Sequence, residues 1–260
     1  MTDHFVRYDV ADGCATLTLD SPHNRNAISS RLVEELQRGL SDAAADDAVR
    51  AVVLTHTGGT FCAGADLSEA SGAEGSPAEL AAGRTRQMTE LLRSIVELPK
   101  PVIARIDGHV RAGGMGLVGA CDLAVAGPES TFALTEARLG LAASIISLTV
   151  LPRLTSRAAG RYFLTGEKFD AQEAEAVGLI SEAAPDPEAT VRELVAALRK
   201  GSPQGLAESK RLTTMRMLAD FDRYGDELAG QSARLFGSAE AAEGMMAFLQ
   251  KRPPAWAVEG

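Results

Sequence analysis

The chain has 260 residues, 45% of them apolar and 23% charged, ordinary globular chemistry for one large domain or a domain with a helical appendage. A net charge of −9 and a pI near 5.0 argue against nucleic acid as a partner, although a few local Arg and Lys side chains would suffice to hold a phosphate-bearing small molecule. The three cysteines, Cys14, Cys62 and Cys121, lack metal-ligand or Cys-x-x-Cys spacing and fit reduced residues of a cytoplasmic protein.

Met1 to Val10 carries Asp3 and Asp9 and no apolar stretch of a signal peptide. Ala15, Leu17 and Leu19 alternate with Thr16 and Thr18, which predicts a strand with one buried face. Ser29 or Ser30 is placed to cap a helix whose stripe is Leu32, Val33, Leu36 and Leu40. The apolar run Ala51 to Leu54, followed by Gly58 and Gly59, reads as a buried strand entering a loop. Ser68 to Ala82 is rich in small residues and reads as the most flexible segment, with a helix starting at Pro77 or Ala78 and running to about Leu98. Pro99 and Pro101 bracket a turn, and strands are predicted over 102–106 and 123–126. Leu139 to Leu151 is apolar but too short for a membrane span and is interrupted by Ser144, Ser147 and Thr149, so no membrane partner is expected. From Asp170 onward the pattern is almost purely helical. Asp170 caps Ala171 to Val177, Gly178 ends that helix, and further helices cover about 188–199, 204–234 and 239–250. The expectation is an α/β core over residues 1–195 and a helical region over 196–260.

Two glycine-rich turns follow predicted strands. The first is Phe61-Cys62-Ala63-Gly64-Ala65-Asp66-Leu67; the second, Ala112-Gly113-Gly114-Met115-Gly116-Leu117, leads into a helix. A helix N-terminus offers unpaired N–H groups to negative charge, and two loops giving one N–H each would form an oxyanion hole. Either turn alone reads more readily as structural punctuation whose glycines permit tight packing. Asp66 and Asp122 read as local turn or cap residues, and His109 as a loop-packing residue.

Taken with Lys100-Pro101-Val102-Ile103-Ala104, Cys121-Asp122, Thr135-Glu136-Ala137-Arg138-Leu139-Gly140, Leu164-Thr165-Gly166-Glu167 and the tail from Glu243 to Arg252, these motifs resemble the crotonase (enoyl-CoA hydratase/isomerase) superfamily along essentially the whole chain. The resemblance implies a spiral of β-β-α units followed by a helical region that builds trimers or dimers of trimers. It implies that the backbone N–H groups of Ala65 and Gly113 bind a thioester oxygen. Ala63, Asp66, Leu67, Ser68 and Gly114, with Arg25 in the turn Pro22 to Ala27, would then border coenzyme A. The segment Ala65 to Ser68 is expected to be strand-like beside the adenine, and Phe248 and Lys251 to reach coenzyme A from the last helix. Coenzyme A would belong to the substrate; no metal or redox cofactor is expected, the four histidines being scattered.

Hydratases of this superfamily commonly carry two glutamates. Glu136 matches one, while Gly116 stands where the other would be. Two carboxyls can divide the proton transfers of hydration, whereas a double-bond shift needs a single base. The segments around Gly116 and Arg138 to Ser147 resemble bacterial methylglutaconyl-CoA and terpenoid-glutaconyl-CoA hydratases, a branch that can also lack that glutamate, which favours hydration over isomerisation. Arg111 or Arg138 would be placed to meet a second substrate carboxylate. A non-catalytic acyl-CoA-binding protein is the reading from another class, disfavoured by the retained Glu136.

Overall fold

The computed structural model describes residues 4–66, 68–69 and 77–258. In chain order the elements are β1 (Val6–Ala11), β2 (Cys14–Leu19), α1 (Ser30–Ala45), β3 (Ala51–His56), β4 (Thr60–Cys62), α2 (Pro77–Glu97), β5 (Val102–Ile106), β6 (His109–Arg111), α3 (Gly113–Ala120), β7 (Leu123–Ala126) and β8 (Thr131–Ala133). There follow α4 (Ser147–Val150), α5 (Ser156–Thr165), β9 (Phe169–Asp170), α6 (Ala171–Ala176), β10 (Glu182–Ala183), α7 (Pro187–Leu198), α8 (Pro203–Phe236) and α9 (Ala239–Leu249).

The strands form two sheets, one ordered β1-β2-β3-β5-β7-β10 and a smaller one ordered β4-β6-β8-β9. Each of the pairs β3/β4, β5/β6 and β7/β8 gives its first strand to the large sheet and its second to the small one, and the first two pairs are each followed by a helix. The chain therefore winds as a spiral of β-β-α units, as expected. Pairings within the spiral are parallel: Val53 lies beside Ile103, Ala104 beside Ala124, and Val110 beside Phe132.

The large sheet is covered on both faces, which is why β3, β5 and β7 read as nearly continuous apolar runs. Val52, Leu54, Val102, Ala104 and Ala124 face the main core, whereas Val53, Ile103 and Val125 pack with Ala184 and Val191 on the side of α7. Caps fall where side-chain chemistry places them: Ser29 accepts from Leu32 N at the start of α1, and Asp170 accepts from Glu173 N at the start of α6. Helix α8 runs antiparallel to α2, since Lys210 meets Ile95, Asp222 meets Arg93 and Ser232 meets Thr85. Met217 and Phe221 of α8 join the main core.

Candidate active site

Strands β4, β6 and β8 lie side by side in parallel, so the segments leaving their carboxyl ends converge. These segments are Ala63–Asp66 after β4, Ala112–Gly113 after β6, and Leu134–Glu136 after β8. The first is anchored by Ile28, whose N–H donates to Gly64 O at 2.8 Å and whose carbonyl accepts from Asp66 N at 3.0 Å. In a parallel bridge of this kind the intervening residue turns its own N–H the other way, and Ala65 is that residue. Gly64 (φ +93°) lets the turns touch: a Cβ there would stand 2.9 Å from Ala112 Cβ and 3.6 Å from Gly113 N. Gly113 is the first residue of α3, where a helix leaves its N–H unpaired. Among the described residues, neither Ala65 N–H nor Gly113 N–H has an acceptor.

Ala112 sets the second turn with φ 46° and ψ −119°, a conformation that costs a non-glycine residue on the order of 1–3 kcal/mol. Two hydrogen bonds hold it there, from Ala112 N to Ala133 O at 3.2 Å and from Met115 N to Ala112 O at 2.8 Å.

Glu136 opens a 3-10 turn, Glu136–Leu139, which Leu141 N closes by donating to Glu136 O at 2.9 Å. Its Oε2 is buried and, among the described residues, has no hydrogen-bond partner. Burial raises its pKa to about 7, opposed only by a hydrogen bond from its own backbone N–H. A carboxyl near 7 is populated in both forms at neutral pH, the condition for a group that takes up a proton and returns it. An orphaned buried oxygen calls for an explanation, and a reacting ligand supplies one.

A family profile described as Enoyl-CoA hydratase/isomerase matches residues 9–259. The chain belongs to that family. An enoyl-CoA hydratase structure from Mycobacterium avium is 59% identical to this family member, with a TM-score of 0.92 over 98% of this chain and 100% of the other. Two relatives carry different reactions in their names. A mevalonyl-coenzyme A hydratase of Aspergillus fumigatus is 33% identical over 92% of this chain and 90% of its own. A 1,2-epoxyphenylacetyl-CoA isomerase of Escherichia coli is 30% identical over 96% of this chain and 97% of its own.

This hydratase/isomerase family member places the remaining candidates as follows. Arg25 is exposed with φ 60°, and its carbonyl accepts from Ala63 N at 3.1 Å, joining the turn at 22–27 to the turn after β4. Asp66 accepts from Asn24 Nδ2 at 3.0 Å through one oxygen and from Ser68 N and Oγ at 2.9 and 2.6 Å through the other. It thus serves as a local turn residue. Burial raises its pKa, but these hydrogen bonds outweigh burial and leave it lowered. Of the expected strand from Ala65 to Ser68, the described residues show a bridge at Ala65 and place Ser68, with Glu69, in a 3-10 turn. Asp66 turns back toward Ser68 and breaks the extended run. Leu67 and residues 70–76 of the small-residue stretch lie outside the described residues. Gly114 packs on Cys62, where a Cβ would come within 2.8 Å of Cys62 Cβ. Phe248 is exposed near the end of α9, and Lys251, with φ 53°, just beyond it.

Gly116 is buried in α3, and the space beside it is filled. A Cβ would lie 2.5 Å from Ile146 Cγ2 and 3.3 Å from Leu92 Cδ1. Arg111 turns its guanidinium to Val110 O, Thr131 O and Thr131 Oγ1 at 2.8, 2.6 and 2.7 Å, linking strands rather than facing an acid. Arg138 Nε donates to Thr165 O at 2.7 Å, a cation at the carboxyl end of α5. His109, expected in a loop-packing role, instead begins β6 with its side chain exposed and its Nδ1 3.0 Å from Thr131 Oγ1.

Asn26 was not singled out in the sequence. Fully buried with φ 53°, it accepts from Ser21 N at 2.8 Å and donates to Thr57 O and Thr60 O at 3.0 and 2.8 Å. It ties the turn at 22–27 to the entry of β4. An asparagine in a turn was the available signal, since asparagine tolerates left-handed backbone.

Proposed function

We propose that this enzyme adds water across the double bond of a 2-enoyl-CoA thioester, with Glu136 as its acid–base. The carboxyl oxygen of Glu136, buried and without a hydrogen-bond partner among the described residues, is the observation that carries this reading. Ionised Glu136 takes a proton from water as the water oxygen bonds to the β-carbon. The electron pair of the double bond moves onto the thioester oxygen, giving an enolate held by Ala65 N–H and Gly113 N–H. The enolate then collapses as protonated Glu136 returns its proton to the α-carbon, which restores the carboxylate. Two N–H donors aimed at the enolate oxygen act where charge develops, so they lower the barrier rather than merely tightening binding. Arg25, Ala63, Asp66, Leu67, Ser68, Gly114, Phe248 and Lys251 are proposed to border coenzyme A.

Isomerisation is the second reading, and Gly116 favours it. With Ile146 against that glycine, there is no room for a second carboxyl, and Glu136 alone can move a proton between two carbons. The named reactions of the two relatives, hydration and isomerisation, support keeping both. A branched or glutaconyl-type acyl group is proposed on the sequence resemblance; the guanidinium of Arg111, turned to backbone carbonyls, lends it no support.

A panel of 2-enoyl- and 3-enoyl-CoA thioesters, scored for both hydration and double-bond migration, separates the two. On the best substrate Glu136→Gln should lose on the order of 10²- to 10⁴-fold in turnover. Near-parental turnover by the folded variant would remove Glu136 from the mechanism, whichever reaction is the right one.

A further inference from the structure

Helix α9 meets the site from outside the spiral. Its inner face is built of small residues, with Ala241 fully buried and Ala247 nearly so. Between them lies Gly244, where a Cβ would stand 2.5 Å from Leu139 O and 2.8 Å from Leu139 Cα. From the other side, a Cβ on Gly140 would stand 2.7 Å from Glu240 C and 2.9 Å from Ala241 N. The two backbones therefore touch directly, without side chains between them. Leu139 ends the 3-10 turn that Glu136 begins, and Gly140 is its left-handed cap, donating to Ala137 O at 3.4 Å. Beyond α9 the chain is pinned back by Glu243, which accepts from Arg252 through both oxygens at 2.6 and 2.8 Å and from Ala255 N at 2.9 Å.

We propose that α9, through Gly244 and Ala241, positions the Glu136 carboxyl by clamping the far end of its turn. This rests on Glu136 as the acid–base, though the contact itself does not. Only three residues lie between Glu136 and Gly140, and the turn is too short to absorb a displacement of its end. A shift there is passed to the carboxyl, and misplacement by about 1 Å can cost on the order of 10²-fold in rate. It also admits water to the orphaned oxygen.

The charged groups around this turn do not set the state of Glu136. On α9, Glu243 is held ionised by Arg252, with its pKa pushed down to about 2, and Glu240 sits in the first turn. On the turn itself Arg138 faces Thr165 O, and on α5 Arg161 pairs with Glu167 while Arg157 is exposed. Burial is what holds the carboxyl up, so loosening the clamp and wetting the site have one signature.

The test compares Ala241→Gly with Ala242→Gly. Both place glycine in α9 at the same helix-propensity cost, but Ala241 is buried with its backbone N against the turn, whereas Ala242 is exposed. Gly244→Ala adds a methyl group against Leu139 O. In each full-length protein labelled with glutamate carrying ¹³C at the carboxyl carbon, the Glu136 resonance is assigned by its loss in Glu136→Gln and titrated. Ala241→Gly and Gly244→Ala should lower the midpoint by more than about one pH unit, toward the solvated value. Ala242→Gly should leave it in place. Equal midpoints in Ala241→Gly and Ala242→Gly overturn the proposal, and so does a folded Gly244→Ala with the parental midpoint. The titration needs no substrate, so a shifted midpoint without any enoyl-CoA turnover would sink the proposed reaction and leave the clamp standing.

Discussion

At the residue scale, Glu136 joins the acid–base role proposed for it to a stability cost of definite sign. Its folded-state pKa of about 7 lies above the ordinary 4.5 because burial disfavours the charged form. A group raised in this way contributes stability that is fully present below its unfolded pKa and lost as pH rises through the folded one. At 1.36 kcal/mol for each unit of displacement, the loss between pH about 4.5 and pH about 8 comes to about 3 kcal/mol. Glutamine at 136 cannot ionise and so escapes that loss. Urea unfolding should show the stability of Glu136→Gln, relative to the parent, rising by about 3 kcal/mol across that interval. A constant difference would mean that water reaches the carboxyl. The substitution expected to remove activity should thus stabilise the protein at alkaline pH, the compromise common where function needs a strained or desolvated group.

At the element scale, what was legible in the sequence follows from element length. Helices α1 and α8 show their stripes over many turns, and β3, β5 and β7 announce themselves as apolar runs. Strands β4, β6 and β8, three residues each, are too short for any period to appear, yet they aim the site. β1 is equally silent, since only Val6 of its six residues is buried and an edge strand need not alternate. The candidate site was legible through its glycine motifs and Glu136 instead. Ile28 and Asn26 were not, because their partners are distant in sequence. Gly116 shows a motif position whose meaning changed once its neighbours were visible. An added Cβ would meet Ile146 Cγ2 at 2.5 Å and Ile146 Cβ at 3.0 Å, so a glutamate there overpacks α3 against the segment after Gly140. Gly116→Glu alone should lose at least on the order of 1–3 kcal/mol in thermal or urea unfolding. Adding Ile146→Ala removes the colliding atoms beyond Cβ and should recover part of that loss. A Gly116→Glu protein as stable as the parent would show that Ile146 yields freely, and that Gly116 is not held by packing.

At the scale of the whole molecule, the long helix after residue 202 is fastened to the spiral by one buried cation. Lys210 is 6% exposed, and its Nζ donates to Ile95 O at 2.8 Å, to Lys100 O at 3.1 Å and to Asp122 Oδ2 at 2.8 Å. All three ammonium hydrogens are therefore matched by acceptors at the end of α2, the turn before β5 and the turn before β7. Asp122 Oδ2 also accepts from Val102 N at 2.7 Å, while its Oδ1 is buried without a partner among the described residues. Burial lowers the pKa of Lys210, and Asp122 opposes that shift. The pair brings together α8 and the start of two central strands, and Met217 and Phe221 continue the contact inside the main core. Breaking such a pair from one side leaves an uncompensated charge, which costs about 3–5 kcal/mol, whereas removing both charges costs much less. Lys210→Met should therefore destabilise strongly. Asp122→Asn should cost less when combined with Lys210→Met than it does in the parent, because its charge then has no partner to lose. A double-mutant cycle in urea reads the difference as a coupling energy on the order of 0.5–3 kcal/mol. Additive effects, with no coupling, would mean that the helix is held by its apolar face alone.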